Sequence, residues 1–397
     1  MTRRALAALA TATAVAVVPF LPAAPAQGAD TWTVPGKASI TIRGHGYGHG
    51  HGMSQHGAEG AARQGLDHRR ILAFYYPRTK VGSVGGSISV LVTADTTDDL
   101  VVVARKGLTL RDSGTGKQVP LPDNGATLWR VQPSAAGDRV AYYDKRWHDV
   151  TTLTGYGEFA AGSAPVTLVT PSGRVDYRGR LRAVPVKPGS NQRDTVNVTS
   201  LENYVRGVVP REVPATWSPA AVRAQAVAAR TYAAYERAHP RSSRFHVYDD
   251  TRSQVYGGAT SEHPASDRAV RATRREVRTY RGEPAFTQFS SSSGGWSSAG
   301  SMPYLVAQRD PYDGWSGNPH HSWRVRVTDA KVEKAFPGVG NLRRIVVTRR
   351  DGHGQWGGRV ESLRLVGSQS TVTTSGDTFR FELGLRSEWV TFAVSRR

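Results

Sequence analysis

A single carboxylate, Glu212, stands in a short apolar stretch between Pro210 and Trp217. Residues 201–235 read LENYVRGVVPREVPATWSPAAVRAQAVAARTYAAY, so a run rich in small residues follows at once. An acid held among Val209, Val213 and Trp217 is disfavoured as an anion, because burial raises a carboxyl pKa. Such a group can stay protonated near neutral pH and deliver a proton to a substrate. The same placement also suits an acid that only caps or salt-bridges the following helix. Arg211 would oppose the rise if it pointed inward, and is expected to point away.

Two further clusters carry chemistry-bearing side chains. His45, His49, His51 and His56 crowd residues 43–57, RGHGYGHGHGMSQHG. Histidines this close can bind zinc or nickel, but a metal needs converging ligands with supporting partners, which spacing in a glycine-rich loop does not provide. No metal and no cofactor is expected here. Residues 289–296, FSSSSGGW, form a polar loop ending in an aromatic ring. This is not the G-x-S-x-G elbow of a serine hydrolase, and a simple turn fits equally well.

Recognisable elements must position these groups. Ser218-Pro219 reads as an N-cap followed by proline at the first helical position, opening a helix that runs to about Arg237, before Pro240. Its many alanines allow neighbouring backbone to approach closely. Shorter helices are predicted over residues 58–64 and 67–75, the latter capped by Asp67, and over residues 264–273 and 379–383. Residues 87–198 show short β-type runs (SISVLVTA, LVVVA, RVAYY, PVTLV, RGRLRAVPV, TVNVT) split by Gly, Pro and Asp turns. The fold class is α+β: an antiparallel β module plus a helix-containing catalytic-type domain. The expected division is 1–29 signal peptide, 40–82 Gly/His-rich segment, 83–198 β-rich module and 199–397 core.

Composition narrows the setting. The chain has 397 residues, no cysteine and a formal net charge of +20. Without thiolates there is no disulfide, cysteine nucleophile or zinc–cysteine site, and the fold must rest on its core. Arg3 and Arg4, the apolar run of residues 5–21 and the small residues around Ala26 and Ala29 read as a secretory signal, too short for a stable membrane span. A basic exported chain is drawn to polyanions. Nucleic acid is not the expected partner, since no helix-turn-helix or aromatic RNA-binding signature is present.

The run LENYVRGVVPREVPATW with its AQAVAARTYA helix resembles the SpoIID/LytB family of bacterial cell-wall proteins. SQVYGG at residues 253–258, FSSSSGGW, MPYLV at residues 302–306 and LGLRSEWV at residues 383–390 resemble later segments of the same family. In the more familiar order a "GHGVGMSQ-GA…YYPGT" segment closes the chain. Here GHGHGMSQHGAEGAARQGLDHRRILAFYYPRT lies near the N-terminus, so the resemblance implies a circularly permuted arrangement. It also implies a secreted, wall-associated protein acting on peptidoglycan glycan strands as a lytic transglycosylase, which cleaves between N-acetylmuramic acid and N-acetylglucosamine. Glu212 would be the acid/base and Arg230 its support. Gln254, Tyr256, Ser292, Ser293, His49, Ser54 and Gln55 would line the sugar cleft. Arg230 could equally form a structural ion pair with Glu202 or Glu236, and Tyr256 could be ordinary core. The competing role implied is a non-catalytic wall-binding module that enhances a separate cell-wall amidase. Zinc, bound by some members near the "SQ-Y" segment, is in doubt here: His246 remains, but there is no cysteine.

Overall fold

The computed structural model describes residues 29–397; the expected signal lies almost wholly outside them. The fold is α+β. Among the described residues no helix is long and apolar enough to cross a membrane.

The β-type runs of residues 87–198 become two sheets. One has six strands, centred on Leu128–Ser134 and Leu100–Val103; the other has seven, including Ser87–Leu91, Arg193–Ser200 and Arg180–Pro185. Alternate residues of both sheets point into one core, where Val90, Val102, Trp129, Val131, Phe159, Leu168 and Leu181 meet. Helices complete it, including Pro264–Ala272 through Ala269 and Val270. Helix α3 (Leu201–Glu212) follows directly from Arg193–Ser200, its first turn capped by the Ser200 hydroxyl, which accepts from Asn203 N–H. Helix α4 (Pro219–Ala238) lays Val222, Ala226, Ala229 and Ala233 on this core.

The opposite stripe of α4, Ala221, Ala224, Val227 and Ala228, packs on a second cluster built by α1 (Gln55–Arg63) and α2 (His68–Tyr75). The alanines at these positions let α4 be wedged between two layers, as small side chains allow. Asp67 caps α2 by accepting from Arg70 N–H at 2.9 Å. Ser218 stands at the N-cap position of α4 but caps nothing: its N–H and hydroxyl both donate to Glu59 of α1, at 2.8 and 3.1 Å. The buried Glu59 thus fastens α4 to α1.

A third core lies at the ends of the chain. Strand Ala38–His45 is the middle of a three-stranded sheet, antiparallel to Ser322–Thr328 on one side and to Val390–Arg396 on the other. Ala38 is paired with Arg396 and Gly44 with Val390. Ile40, Ile42, Val327, Phe392 and the sheet Leu342–Arg350, Val360–Gly367 share this core with Phe379 of the last helix, Gly376–Leu383.

Helix α3 packs so tightly that a Cβ on Gly207 would lie 2.5 Å from the Tyr256 ring and 2.8 Å from the Gly258 carbonyl oxygen. Gly207→Val is therefore expected to lower stability by at least about 2 kcal/mol, read as a fall in the urea or thermal midpoint relative to the unsubstituted protein.

Candidate active site

Glu212 is the last residue of α3, not the first of the long helix after it. Its half-buried carboxyl accepts two hydrogen bonds: from the Gln55 side-chain amide at 3.2 Å and from Val255 N–H at 3.3 Å. Burial raises its pKa, and the two donors only partly offset that rise. The negative end of the α3 dipole acts in the same direction as burial. The neighbouring Arg211 is exposed, and no described cation forms an ion pair with Glu212. The group is a carboxyl biased towards its neutral form, with a defined orientation.

An aromatic cluster begins at His56, the residue after the Gln55 donor. The His56 ring lies 4.9 Å from Trp217 and 5.3 Å from His320, centroid to centroid. Tyr47, which is exposed, meets His320 edge-on at 5.0 Å. Trp315 donates its indole N–H to the His56 carbonyl and lies beneath the Arg63 guanidinium. Burial and the neighbouring His320 push His56 down to about 4, so it is neutral at physiological pH. Rings beside an amide that bonds an acid suit a hydroxyl-rich ligand, whose sugar faces stack on aromatics.

Gln55 reaches Glu212 because the start of α1 is fixed by a buried polar knot. Asp313 is fully buried. Its carboxylate accepts from the hydroxyls of Ser54 (2.7 Å) and Ser292 (2.9 Å) and from the N–H groups of Ser293 and Gly294 (each 3.0 Å). It also accepts from the Asn318 amide and pairs with His321 at 2.9 Å. These donors and His321 outweigh burial and hold Asp313 below the usual carboxylate range, while His321 is raised by the same contact. Asp310, beside it, accepts from Tyr75 and Ser293 hydroxyls. Burial and the Asp313 charge push it up to about 6.

Of the residues expected to line a sugar cleft, only Gln55 touches Glu212. Ser54, Ser292 and Ser293 spend their hydroxyls in the knot. Gln254 is buried and accepts from the Tyr204 hydroxyl at 3.2 Å, while its amide nitrogen lacks a partner; its contribution is to set the backbone of Val255. Tyr256 is core: it packs on Tyr204 and donates to Asn197 at 2.9 Å. His49 stacks on His51 at 4.9 Å in a separate hollow with Arg359 and His353. Burial lowers its pKa to about 3. Arg230 is also not brought to Glu212. It is 0 % exposed and bidentate to Glu202 at 3.0 and 2.8 Å, with carbonyls of Val270 and Glu276 taking its other protons. That is the structural ion pair, at the other end of α3 from Glu212.

His45 pairs with Gln355, and His56 belongs to the aromatic cluster, so the four histidines do not converge. Among the described residues no cluster of three or more His, Asp or Glu is arranged to hold a metal ion. His246 is engaged by Ser89, and Asp249 by Thr93. Sequence reasoning missed His320, Trp315, Tyr47 and the two aspartates. The one available signal was the compact run DPYDGWSGNPHHSW at residues 310–323, dense in rings and acids between two recognised segments.

Residues 189–280, which hold Glu212, Val255 and helices α3 to α5 (Pro264–Ala272), match the family model described as Stage II sporulation protein. The amidase enhancer of Bacillus subtilis is 40 % identical over 135 residues, covering 32 % of this chain and 17 % of that protein. Stage II sporulation protein D of Bacillus subtilis is 33 % identical over 155 residues, 33 % of this chain and 44 % of its own length. A protein of Brachyspira hyodysenteriae is 35 % identical over 134 residues, 34 % of this chain and 36 % of its own. The chain thus spans less than half the length of each of these relatives.

The knot makes a firm demand. Asp313→Asn replaces an acceptor-only carboxylate with an amide that points donors at donors, and is expected to cost about 3 kcal/mol. Equilibrium denaturation measures it. A change under about 1 kcal/mol would mean that the knot does not carry the placement of α1.

Proposed function

The central segment of this chain belongs to the SpoIID/LytB family, and on that premise we propose that the protein is a secreted, wall-associated lytic transglycosylase of peptidoglycan glycan strands. The observation that carries this is the Glu212 carboxyl: oriented by two hydrogen bonds, raised in pKa and unpaired with any described cation, with its donor Gln55 next in sequence to the His56–Trp217 ring pair.

Hydrolysing glycosidases place two carboxyl groups across the scissile bond. Among the described residues no second carboxyl shares a hydrogen bond with Glu212 or its two donors, and Asp310 and Asp313 are committed to the knot. One acid suffices for an internal transfer. The Glu212 proton passes to the glycosidic oxygen as the C1–O bond breaks. The sugar's own 6-hydroxyl oxygen then bonds to C1, and its proton returns to Glu212. The product is a 1,6-anhydro sugar, and no water is consumed. Gln55 and Val255 N–H hold the carboxylate formed midway, when it must take that proton back.

A permuted segment order belongs to the same reading. It is supported by strand Ala38–His45 lying between Ser322–Thr328 and Val390–Arg396, and by the Gln55 contact to Glu212. A second reading, a non-catalytic partner of a cell-wall amidase, is favoured by the likeness to the Bacillus subtilis amidase enhancer. It needs the aromatic cluster for binding but not the Glu212 proton.

Mass spectrometry of peptide-stripped glycan strands separates the two. The wild type is expected to release 1,6-anhydro-muramyl ends, and Glu212→Gln to slow this by about 10²–10⁴-fold while still binding strands. Absence of cleavage by both, with binding retained, would sink the enzyme reading. The pH profile carries a sign as well. The reactive form is protonated, so activity holds below the raised Glu212 pKa and declines as pH rises through it. An acid limb, with activity rising as Glu212 ionises, would contradict this role.

A further inference from the structure

The sheet of Ser322–Thr328, Ala38–His45 and Val390–Arg396 turns one face to its core and the other to solvent. Pairing sets Arg43 directly opposite Arg324, and Thr41 directly opposite Arg326. Side chains alternate along a strand, so all three arginines share the outer face. Arg324 and Arg326 are then about 7 Å apart along the strand. All three are exposed, and none is hydrogen-bonded to, or ion-paired with, a described residue. Like charges directly opposite in a sheet destabilise it, so the fold bears a cost here that no described residue relieves.

Along most of the face Ser39, Thr41, Thr328, Thr391, Ala393 and Ser395 form a smooth floor with neither acid nor ring, while His45 and the Trp356 ring packed on it at 4.8 Å stand at the Arg43–Arg324 end. Beyond one end, Arg326, Lys331, Arg396 and Arg397 line an open hollow. Asp329, the acid beside it, is paired with Arg397. At the other end both strands run into the candidate site, since Tyr47 follows Ala38–His45 and His320 precedes Ser322–Thr328.

We propose that this face docks an alditol phosphate polymer, an extended chain of phosphodiesters joined by short polyols. Guanidinium forks match phosphate oxygens two at a time. Three guanidiniums this close call for a ligand with one charge every few carbons, which an uncharged glycan strand does not have. A single-stranded nucleic acid is bound by stacking successive bases as well as by charge; here His45 and Trp356 stand at one end of the strip, packed on each other, and the floor beyond them offers no further stacking platform. Polymer bound along the strip anchors the protein beside Glu212 without occupying it, and this does not depend on whether Glu212 is catalytic.

The test uses purified poly(glycerol phosphate) and fluorescence anisotropy at two salt concentrations. The combined variant Arg43→Ala, Arg324→Ala, Arg326→Ala is expected to bind at least tenfold more weakly, with a shallower salt dependence. A charge-matched control in the β module, Lys106→Ala, Lys117→Ala, Arg174→Ala, is expected to bind like the wild type. A single-stranded oligonucleotide of equal charge is expected to bind the wild type more weakly than the polymer. Equal loss in the control variant, or oligonucleotide binding as tight as polymer binding, would overturn the proposal in favour of general polyanion attraction; no binding by the wild type would overturn it outright. Thermal midpoints guard against misfolding: removing opposed like charges is expected to leave the strip variant at least as stable as the wild type. Its cleavage of stripped glycan in dilute solution is expected to be unchanged, so this proposal and the enzyme reading fail separately.

Discussion

The buried carboxylate of Asp313 is where three parts of the chain are tied: Ser54 from the N-terminal segment, Ser292 to Gly294 from the serine–glycine loop, and Asn318 and His321 from the approach to the arginine-bearing sheet. A buried anion is tolerated only when its oxygens are filled with donors. Asp313 meets that condition by drawing them from segments far apart in sequence. Once Ser54 is fixed, helix α1 begins there, and Gln55 can only point where the helix start directs it. The contact between Gln55 and Glu212 is therefore a consequence of charge satisfaction some distance away.

The second constraint is the thinness of α4. Its alanines allow α1 and α2 on one side and α3 on the other to share one helix as a common wall. Glu59 and Ser218 lock its start, and Arg230 with Glu202 locks its middle. Arg230 thus acts by holding α3 against α4 and α5, which sets the axis at whose C-terminus Glu212 sits. The acid then meets three influences that favour its neutral form: burial, the helix dipole and the absence of a paired cation.

Local signals in the sequence were readable. Asp67, Pro219 and the alanine run mark helices close to where they form, because capping and proline placement are local effects. The β-type runs of residues 87–198 likewise become strands, since alternation alone decides which side chains enter the core. What the sequence concealed is long-range. Helix α3 is masked by Gly207 and Pro210, residues that lower helix propensity and are tolerated because Tyr256 packs on one and the other lies in the last turn. The serines of FSSSSGGW look like ligand-binding groups, yet Asp313, some twenty residues later, consumes them. His49 and His56 share a motif but face different hollows. Residue type gave Glu212; only three-dimensional pairing distinguished Gln55, which touches it, from Arg230 and Tyr256, which do not.

The central claim is that this fold holds Glu212 as an oriented acid whose pKa is raised above that of an ordinary glutamate. Its side-chain carboxyl, labelled with ¹³C and followed by NMR across a pH titration of the intact protein, tests that claim without reference to any substrate. Assignment comes from the signal lost in Glu212→Gln. A titration midpoint above the ordinary glutamate range, falling towards it when the protein is unfolded in denaturant, is the result the account predicts. A midpoint at or below that range would mean that Gln55 and Val255 N–H stabilise a permanent carboxylate, and that Glu212 does not donate the proton.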